Sequence, residues 1–427
     1  MPLSCATLWS YGSGMRPWAL RAALVFAFAF VLRIAPLALP FDFRGPDTPS
    51  YLEPAESLAA GQGFRARDGR PSAVRPPGYP AFAAAVYLVC GGPSDLGLRI
   101  AQALLGALAA VAVAATLRGC GPRWSLAGGL LSALDPVAIG QAPFLLREAL
   151  LLFLVAALLW ARVRLGARAR FLATCSLGAA LVLTHQLYLL LAPSLCAAEL
   201  WNLRRAHRRR LAGEALRWGA VLLVCASALF LWARRNERVL GRFSLTASSN
   251  AAPARELWLT SEYSNAWLSG DRATGFQHLA FAEERRLVEA VGVEEAKRVL
   301  LARAWANWRD HPLRSLGRLL RINLWYWLEV PGAVRLAEHP RLAVVRWGLL
   351  AFHWPRLVAA FAGVLWLAGG RGPRALRATA LGTLAFFALA PSLLYPVPRY
   401  LGPACPLLDV LALLGLRTSV LRRSAAA

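Results

Sequence analysis

The chain has 427 residues, 57% of them hydrophobic and 17% charged, with a mean hydropathy of +0.46. Soluble domains run nearer one-half apolar and one-quarter charged, so a soluble single-core enzyme and a disordered chain are both excluded. Lys and Arg number 48 against 23 Asp and Glu, a net +25, yet the arginines cluster in short segments between apolar blocks. The positive-inside rule predicts this for cytoplasmic loops, so the charge points to anionic lipid and not to nucleic acid.

A helix needs about 20 residues to cross about 30 Å of hydrocarbon. The first apolar run, Leu20 to Leu39, is long, contains Arg33 and lacks a small-x-small site directly after it, so it reads as a span and not a cleaved signal. Further spans are predicted at Leu98 to Leu117, Trp124 to Pro143 and Leu145 to Ala161. Phe171 to Trp201 is 31 residues long with arginine-rich segments on both sides, so it must cross twice and is split near Thr184-His185-Gln186. Leu216 to Trp232, Leu349 to Leu367, the short Ala378 to Ala390 and Leu401 to Leu416 complete the set. The prediction is an all-α polytopic membrane protein of about ten transmembrane helices, with both termini cytoplasmic.

Three regions follow: an N-terminal bundle over residues 1–232 that includes an outer loop at 40–95, an extracytoplasmic segment at 233–346, and C-terminal helices at 347–427. In the middle region Arg314, Arg318 and Arg321 repeat opposite Leu316, Leu320 and Leu324. That pattern predicts an amphipathic interfacial helix over 313–328, with Trp325-Tyr326-Trp327 as its aromatic anchor.

In the first outer loop Thr48 or Ser50 can cap a short helix that Gly61 ends, which puts Asp47 just before the helix and just after the first span. The pattern alone leaves Asp47 open between a chemical role and a second cap. Asp42 is a competing carboxylate, and Glu53 and Glu56 read as a solvated helix face. Arg33 lies within a span, where insertion costs about 2.5–3.5 kcal/mol at mid-membrane, so it needs a partner, a cavity or a route to the headgroups. Glu148 opens a span, where it can orient a substrate or satisfy the helix dipole. The cores of the spans otherwise read as poor in ionisable groups. The seven cysteines, Cys5, Cys90, Cys120, Cys175, Cys196, Cys225 and Cys405, show no C-x-x-C spacing and read as small hydrophobes. The six histidines form no H-x-x-x-H pair, which leaves zinc without support, and no P-loop or G-x-G-x-x-G offers a nucleotide cradle.

Arg33, then Asp47-x-x-x-Tyr51, then Gly61-x-Gly63-Phe64 and Arg75-Pro76-Pro77-Gly78-Tyr79-Pro80, resembles the first outer loop of the GT-C glycosyltransferases. The relevant branch holds the protein O-mannosyltransferases, the aminoarabinose transferases and similar bacterial lipopolysaccharide-core transferases. Leu134-Asp135-Pro136 followed by Arg147-Glu148, Asn307-x-x-x-His311-Pro312, and Pro398-Arg399-Tyr400 resemble later elements of the same family. Thr184-His185-Gln186 departs from the threonine-arginine-proline of many relatives. The resemblance implies an inverting glycosyltransferase of the bacterial inner (plasma) membrane, transferring a hexosyl or pentosyl unit. A polyprenyl-phosphate sugar would be the donor, and a glycan, lipid or protein on the extracytoplasmic face the acceptor. Asp47 would then be the catalytic base, with Arg33, Tyr51, Arg75, Tyr79, Glu148 and Arg399 binding substrate and Arg33 and Arg399 at the phosphate. No cofactor is expected, although a divalent metal at the loop acid, used by some GT-C enzymes, stays open. Two alternatives differ in class: a lipid-linked sugar flippase or transporter, and an O-antigen polymerase or ligase. The sequence shows no paired Gly/Pro-broken halves of the kind a transporter carries, and the aspartate and Pro-Pro-Gly-Tyr-Pro motif of the first loop are not expected of an O-antigen polymerase or ligase.

Overall fold

The computed structural model describes residues 15–38, 43–45, 47–203, 208–241, 243–246, 282–328, 343–393 and 398–426. Among these the chain is helical, with one isolated bridge between Arg65 and Pro71 and no strand. The helices are α1 (Met15–Ile34), α2 (Pro49–Ala59), α3 (Gly78–Cys90), α4 (Asp95–Thr116), α5 (Pro122–Ala133), α6 (Pro136–Gln141), α7 (Glu148–Arg164) and α8 (Ala167–Thr184). They continue as α9 (Leu191–Leu203), α10 (Arg208–Leu240), α11 (282–291), α12 (Val293–Asp310), α13 (Pro312–Leu328), α14 (Ala343–Ala368), α15 (Arg374–Leu393) and α16 (Cys405–Ala426). They fall into two compact units: Met1–Thr246 with Ala351–Phe386 and Gly402–Ala427, and Ala247–Leu350 with Phe387–Leu401.

Six of the described segments are long and apolar enough to cross a membrane: Pro17–Ala38, Asp95–Cys120, Ala167–Thr184, Leu211–Leu240, Trp347–Ala368 and Leu401–Val420. The fold is therefore all-α and polytopic, and length and composition do not establish the expected ten crossings. Two local readings have clear outcomes. The apolar block from Phe171 does break where expected: α8 ends at Thr184, a 3-10 turn covers Gln186–Leu190, and α9 follows. Trp124 to Pro143, by contrast, is not one span. The chain leaves helix between α5 and α6, where Asp135 Oδ1 accepts from the amides of Val137 at 2.8 Å and Ala138 at 3.3 Å. Pro136 at the first helical position has no N–H to lose, so the Asp-Pro pair starts a new helix.

The first unit is held by small residues and by neutralised charge. Gly363 of α14 and Gly415 of α16 let two backbones meet: a Cβ at Gly415 would collide with the Ala359 carbonyl, and one at Gly363 with that of Leu411. Close approach through small residues is how helices associate without a hydrophobic gain over lipid. The reading of span cores as poor in ionisable groups is corrected here. Arg356 donates through Nη1 to Asp135 and, at 3.3 Å, to Asp409 Oδ1, and through Nη2 to His353 Nδ1 at 3.0 Å. Arg356, Asp135, Asp409 and His353 are all buried. A second buried pair, Arg162 with Glu199 at 2.8 Å, adds a bond from Arg162 to Thr379 at 3.1 Å and stacks over Trp218, which ties α7, α9, α10 and α15 together.

In the second unit α13 matches the expected amphipathic helix, with Leu313, Leu316, Leu320, Leu324 and Leu328 exposed along it. The side chains of Arg318, Arg321, Trp325 and Tyr326 lie outside the described residues. Glu283 of α11 is gripped by Arg286 at 2.8 Å and by Arg303 of α12 at 2.9 Å. Hydrogen bonds from Arg286 and then Arg303 hold its carboxyl down to about 2.

Removing one partner of a buried charge network strands the others, at about 3–5 kcal/mol. Thermal unfolding in detergent is expected to show a loss of that order for Arg356→Met, with part recovered in Arg356→Met/Asp409→Leu; a neutral Arg356→Met would refute the network. The Glu283 carboxyl has a depressed folded value, so its contribution is complete above the ordinary glutamate range and fades as pH falls toward about 2. Amide protection over 282–310 should accordingly hold from pH 7 to about 5 and weaken only below it, and Arg303→Gln should shift the onset of loss upward.

Candidate active site

The loop after the first span is organised by its turn chemistry. Thr48 Oγ1 accepts from the Gly45 amide at 3.0 Å and its own amide donates to the Gly45 carbonyl, closing a turn, and Pro49 then starts α2. Thr48 is thus the residue at the cap position, but its hydroxyl faces back into the turn. The Ser50 hydroxyl, the other expected cap, donates to the Asp47 carbonyl at 2.6 Å. Past α2 the chain turns at Gly61 and Gly63, whose φ angles of +73° and +83° are left-handed and favour glycine.

The turn presents Asp47 to Arg75. Arg75 Nη2 donates to Asp47 Oδ1 at 2.6 Å and Arg75 Nε donates to Ser50 Oγ at 2.8 Å. Both ion-pair side chains are about a quarter exposed, at 23% and 28%, so the pair is shielded yet open on one side. The Arg75 guanidinium lies 5.0 Å from the Tyr51 ring centroid, and the Tyr51 and Tyr79 rings meet edge to face at 5.2 Å. Tyr79 Oη donates to Gln102 Oε1 at 2.5 Å, and Gln102 Nε2 donates to the Ala142 and Phe144 carbonyls, each at 2.8 Å. Burial raises the Tyr79 phenol well above its ordinary range, and the charges of Tyr87 and Glu148 add to this, so it stays a neutral donor.

Gly78 explains part of the Pro-Pro-Gly-Tyr-Pro run. A Cβ there would stand 2.5 Å from Thr184 Oγ1 and 2.8 Å from the Thr184 amide. Only a bare backbone lets the start of α3 rest on the break between α8 and α9. Behind this contact Leu52, Ala55, Ala83, Ala84 and Tyr87 of α2 and α3 bury against Leu98 and Leu145. Arg44, on the same loop, pairs with Asp95 at the start of α4 at 2.8 Å.

Of the residues singled out from sequence, Asp47, Tyr51, Arg75 and Tyr79 come together in one continuous chain of contacts. Glu148 is buried in the first turn of α7, close enough for its charge to act on Tyr79. Arg33 is placed elsewhere. It is buried at 1% exposure and donates to the carbonyls of Ala29 at 3.1 Å, Ala133 at 3.2 Å and Ser132 at 3.0 Å. Gly106 makes room for it, since a Cβ there would sit 2.6 Å from Arg33 Cδ. Arg399 lies in the 3-10 stretch Pro398–Ala404, with its side chain outside the described residues, as is the whole of Asp42. From sequence Ser50 was named only as a cap and Asp135 only within a motif, and Gln102, Arg356 and Asp409 were not singled out. The signal for Gln102 and Arg356 was present: each is a strongly polar residue inside an apolar span, which needs a partner. Among the described residues no three His, Cys, Asp or Glu side chains converge as metal ligands. Arg75 already engages Oδ1 of Asp47, so the described donor set does not fit a divalent ion there and no step below runs through one.

No protein-family model and no curated protein sequence matches the chain. Among solved structures, it resembles the Archaeoglobus fulgidus oligosaccharyltransferase AglB in complex with an inhibitory peptide and a dolichol-phosphate, at a TM-score of 0.55 and 15% identity, over 96% of this chain and 51% of that one. The apo form of the same enzyme matches at 0.54 and 16%, over 96% and 52%. ArnT from Cupriavidus metallidurans bound to undecaprenyl phosphate covers 95% of this chain and 78% of its own at 17% identity, but its TM-score of 0.41 carries no weight. The chain spans about half the length of the archaeal enzyme. At this identity the likeness is one of fold alone: the chain shares its fold with the archaeal oligosaccharyltransferase.

The Tyr79–Gln102 bond is buried, so Tyr79→Phe leaves the amide of Gln102 short of a donor, at an expected loss of about 1–3 kcal/mol. A double-mutant cycle with Gln102→Leu, read by thermal unfolding, should show the two losses to be strongly non-additive; additive losses would mean that the bond does not form.

Proposed function

We propose that the chain is a membrane glycosyltransferase that moves a sugar from a polyprenyl-phosphate donor to a glycan, lipid or protein acceptor on the extracytoplasmic face. The observation that carries this reading is the Asp47–Arg75 pair: a carboxylate on the first outer loop, fixed by a guanidinium that the Ser50 hydroxyl orients, in a fold shared with an oligosaccharyltransferase whose structure holds a dolichol-phosphate. A lipid-linked donor needs no nucleotide cradle, because its chain stays in the bilayer and only phosphate and sugar have to be gripped.

In the proposed step an acceptor hydroxyl or amine gives its proton to Asp47 as its oxygen or nitrogen bonds the anomeric carbon. The anomeric C–O bond to phosphate breaks on the opposite face, the electron pair leaves with the lipid phosphate, and the configuration inverts. Arg75 and Ser50 hold the base still, which matters because a reacting pair must be within about 3–3.5 Å and aligned. Tyr51 and Tyr79 form the aromatic wall behind the guanidinium, and Glu148 orients the substrate. Cationic side chains are expected at the phosphate, whose negative charge grows as the bond breaks; Arg33 is held by three backbone carbonyls. The buried Arg356, Asp135 and Asp409 are the one observation that favours a flippase, since intramembrane charges often line transport paths.

The test uses the full chain in liposomes that contain polyprenyl-phosphate sugar and an acceptor. A positioned base is worth about 10²–10⁴ in rate, so Asp47→Asn should lower transfer by that factor with donor binding retained. Transfer that survives the substitution removes Asp47 as base, and lipid movement without product replaces the enzyme reading with the flippase.

A further inference from the structure

Nothing in the proposed chemistry uses the last turns of α10, yet they are unusually committed. Arg235 lies more than 150 residues along the chain from the first outer loop and reaches back to it (|i−j| is 163 to Ser72 and 171 to Phe64). Its Nη1 donates to the Ser72 carbonyl at 2.6 Å and its Nη2 to the Phe64 carbonyl at 2.9 Å. Its guanidinium also lies over two rings, 5.4 Å from the centroid of Phe64 and 5.0 Å from that of Trp232, which meet each other edge to face at 5.0 Å.

The two carbonyls that Arg235 grips belong to the two strand-like legs of one small hairpin. Ser72 donates its amide to the Phe64 carbonyl at 3.0 Å, Ala66 donates to Arg70 at 2.9 Å, and Arg65 bridges Pro71. The guanidinium therefore staples the base of the hairpin, where the legs close. Three residues after Ser72, past the buried Ala73, comes Arg75. The far leg feeds straight into the guanidinium that holds Asp47. On its other side the same turn of α10 holds the chain that leaves it: Asn236 Nδ2 donates to the Ser244 carbonyl at 2.7 Å and Trp232 Nε1 to that of Leu245 at 2.8 Å.

We propose that Arg235 is a positioning residue: it latches the Phe64–Ser72 hairpin onto the end of α10 and thereby sets where Arg75 presents itself to Asp47. A cation on two main-chain oxygens, set against the edge-to-face pair of Phe64 and Trp232, has one orientation, so the leg that leads to Arg75 has one too. Without the latch the hairpin keeps its own few bonds and one tie to α2, from the Arg67 amide to Glu53 Oε2 at 3.2 Å, among the exposed side chains of Arg65, Arg67 and Arg70. The link to transfer rests on the glycosyltransferase reading; the latch itself does not.

The experiment compares the full chain with Arg235→Gln and Arg235→Lys in nanodiscs by amide exchange and by transfer kinetics. In Arg235→Gln the amides of residues 66–72 should exchange about tenfold faster or more, while those of α4 are unchanged, and kcat should fall about tenfold with donor KM within about twofold. Arg235→Lys, which keeps a cation for one carbonyl but loses the fork, should recover only part of the protection and rate. Unchanged exchange in Arg235→Gln overturns the latch, and so does a loss that extends equally through α4. Faster hairpin exchange with unaltered kcat overturns the positioning role. Asp47→Asn is run in parallel: if it retains transfer, the base assignment fails, while the exchange result still decides whether the latch exists.

Discussion

A half-buried carboxylate on a loop needs a partner that fixes it without burying it, and for Asp47 the partner is Arg75. Its guanidinium satisfies Asp47 on one edge and Ser50 on another and lies against Tyr51. From there the contacts run unbroken to Tyr79, to Gln102 of α4, and to the backbone carbonyls of residues 142 and 144. The position of Asp47 is thereby tied to the main chain of the bundle through side chains that each have a single good orientation. An aspartate held only by a flexible loop would wander by more than the fraction of an ångström that proton transfer tolerates.

The same logic of neutralisation operates deeper. Arg356 is surrounded by Asp135, Asp409 and His353, and Arg33 lies near enough to feel the charge of Asp135 and Asp409. Two arginines and two aspartates in one dry neighbourhood leave little net charge for lipid to solvate. Asp135 serves twice, with one oxygen capping α6 and the other on Arg356. The helix break at residue 135 and the charge cluster are thus one feature, and it explains why an apolar stretch of otherwise sufficient length is interrupted.

Much of this was legible in the sequence, unevenly. The all-α membrane class followed from hydropathy, and the break at Thr184-His185-Gln186 followed from length and flanking arginines, because both depend on local composition. The short helix after Asp47 and its end near Gly61 followed from Pro49 and the glycine. The grouping of Asp47, Tyr51, Arg75 and Tyr79 came from motif resemblance, and its contacts were not derivable from spacing. The partners of Arg33 were not legible for a different reason. A span arginine announces that it has a partner, but which partner depends on helix packing, here on a glycine at 106 and on the frayed end of α5. The grip of Arg235 on a loop far upstream belongs to the same class of long-range fact that no window of sequence carries.

We propose that Asp47 and Arg75 flank the place where the donor's phosphate-linked sugar comes to rest. An experimental structure of the full chain in nanodiscs with a bound polyprenyl phosphate tests it most directly. The account predicts the lipid phosphate in a cavity bordered by Asp47 and Arg75, on the face away from the arginine-rich loops. A phosphate bound on the opposite face, or separated from Asp47 by packed helices, would contradict it.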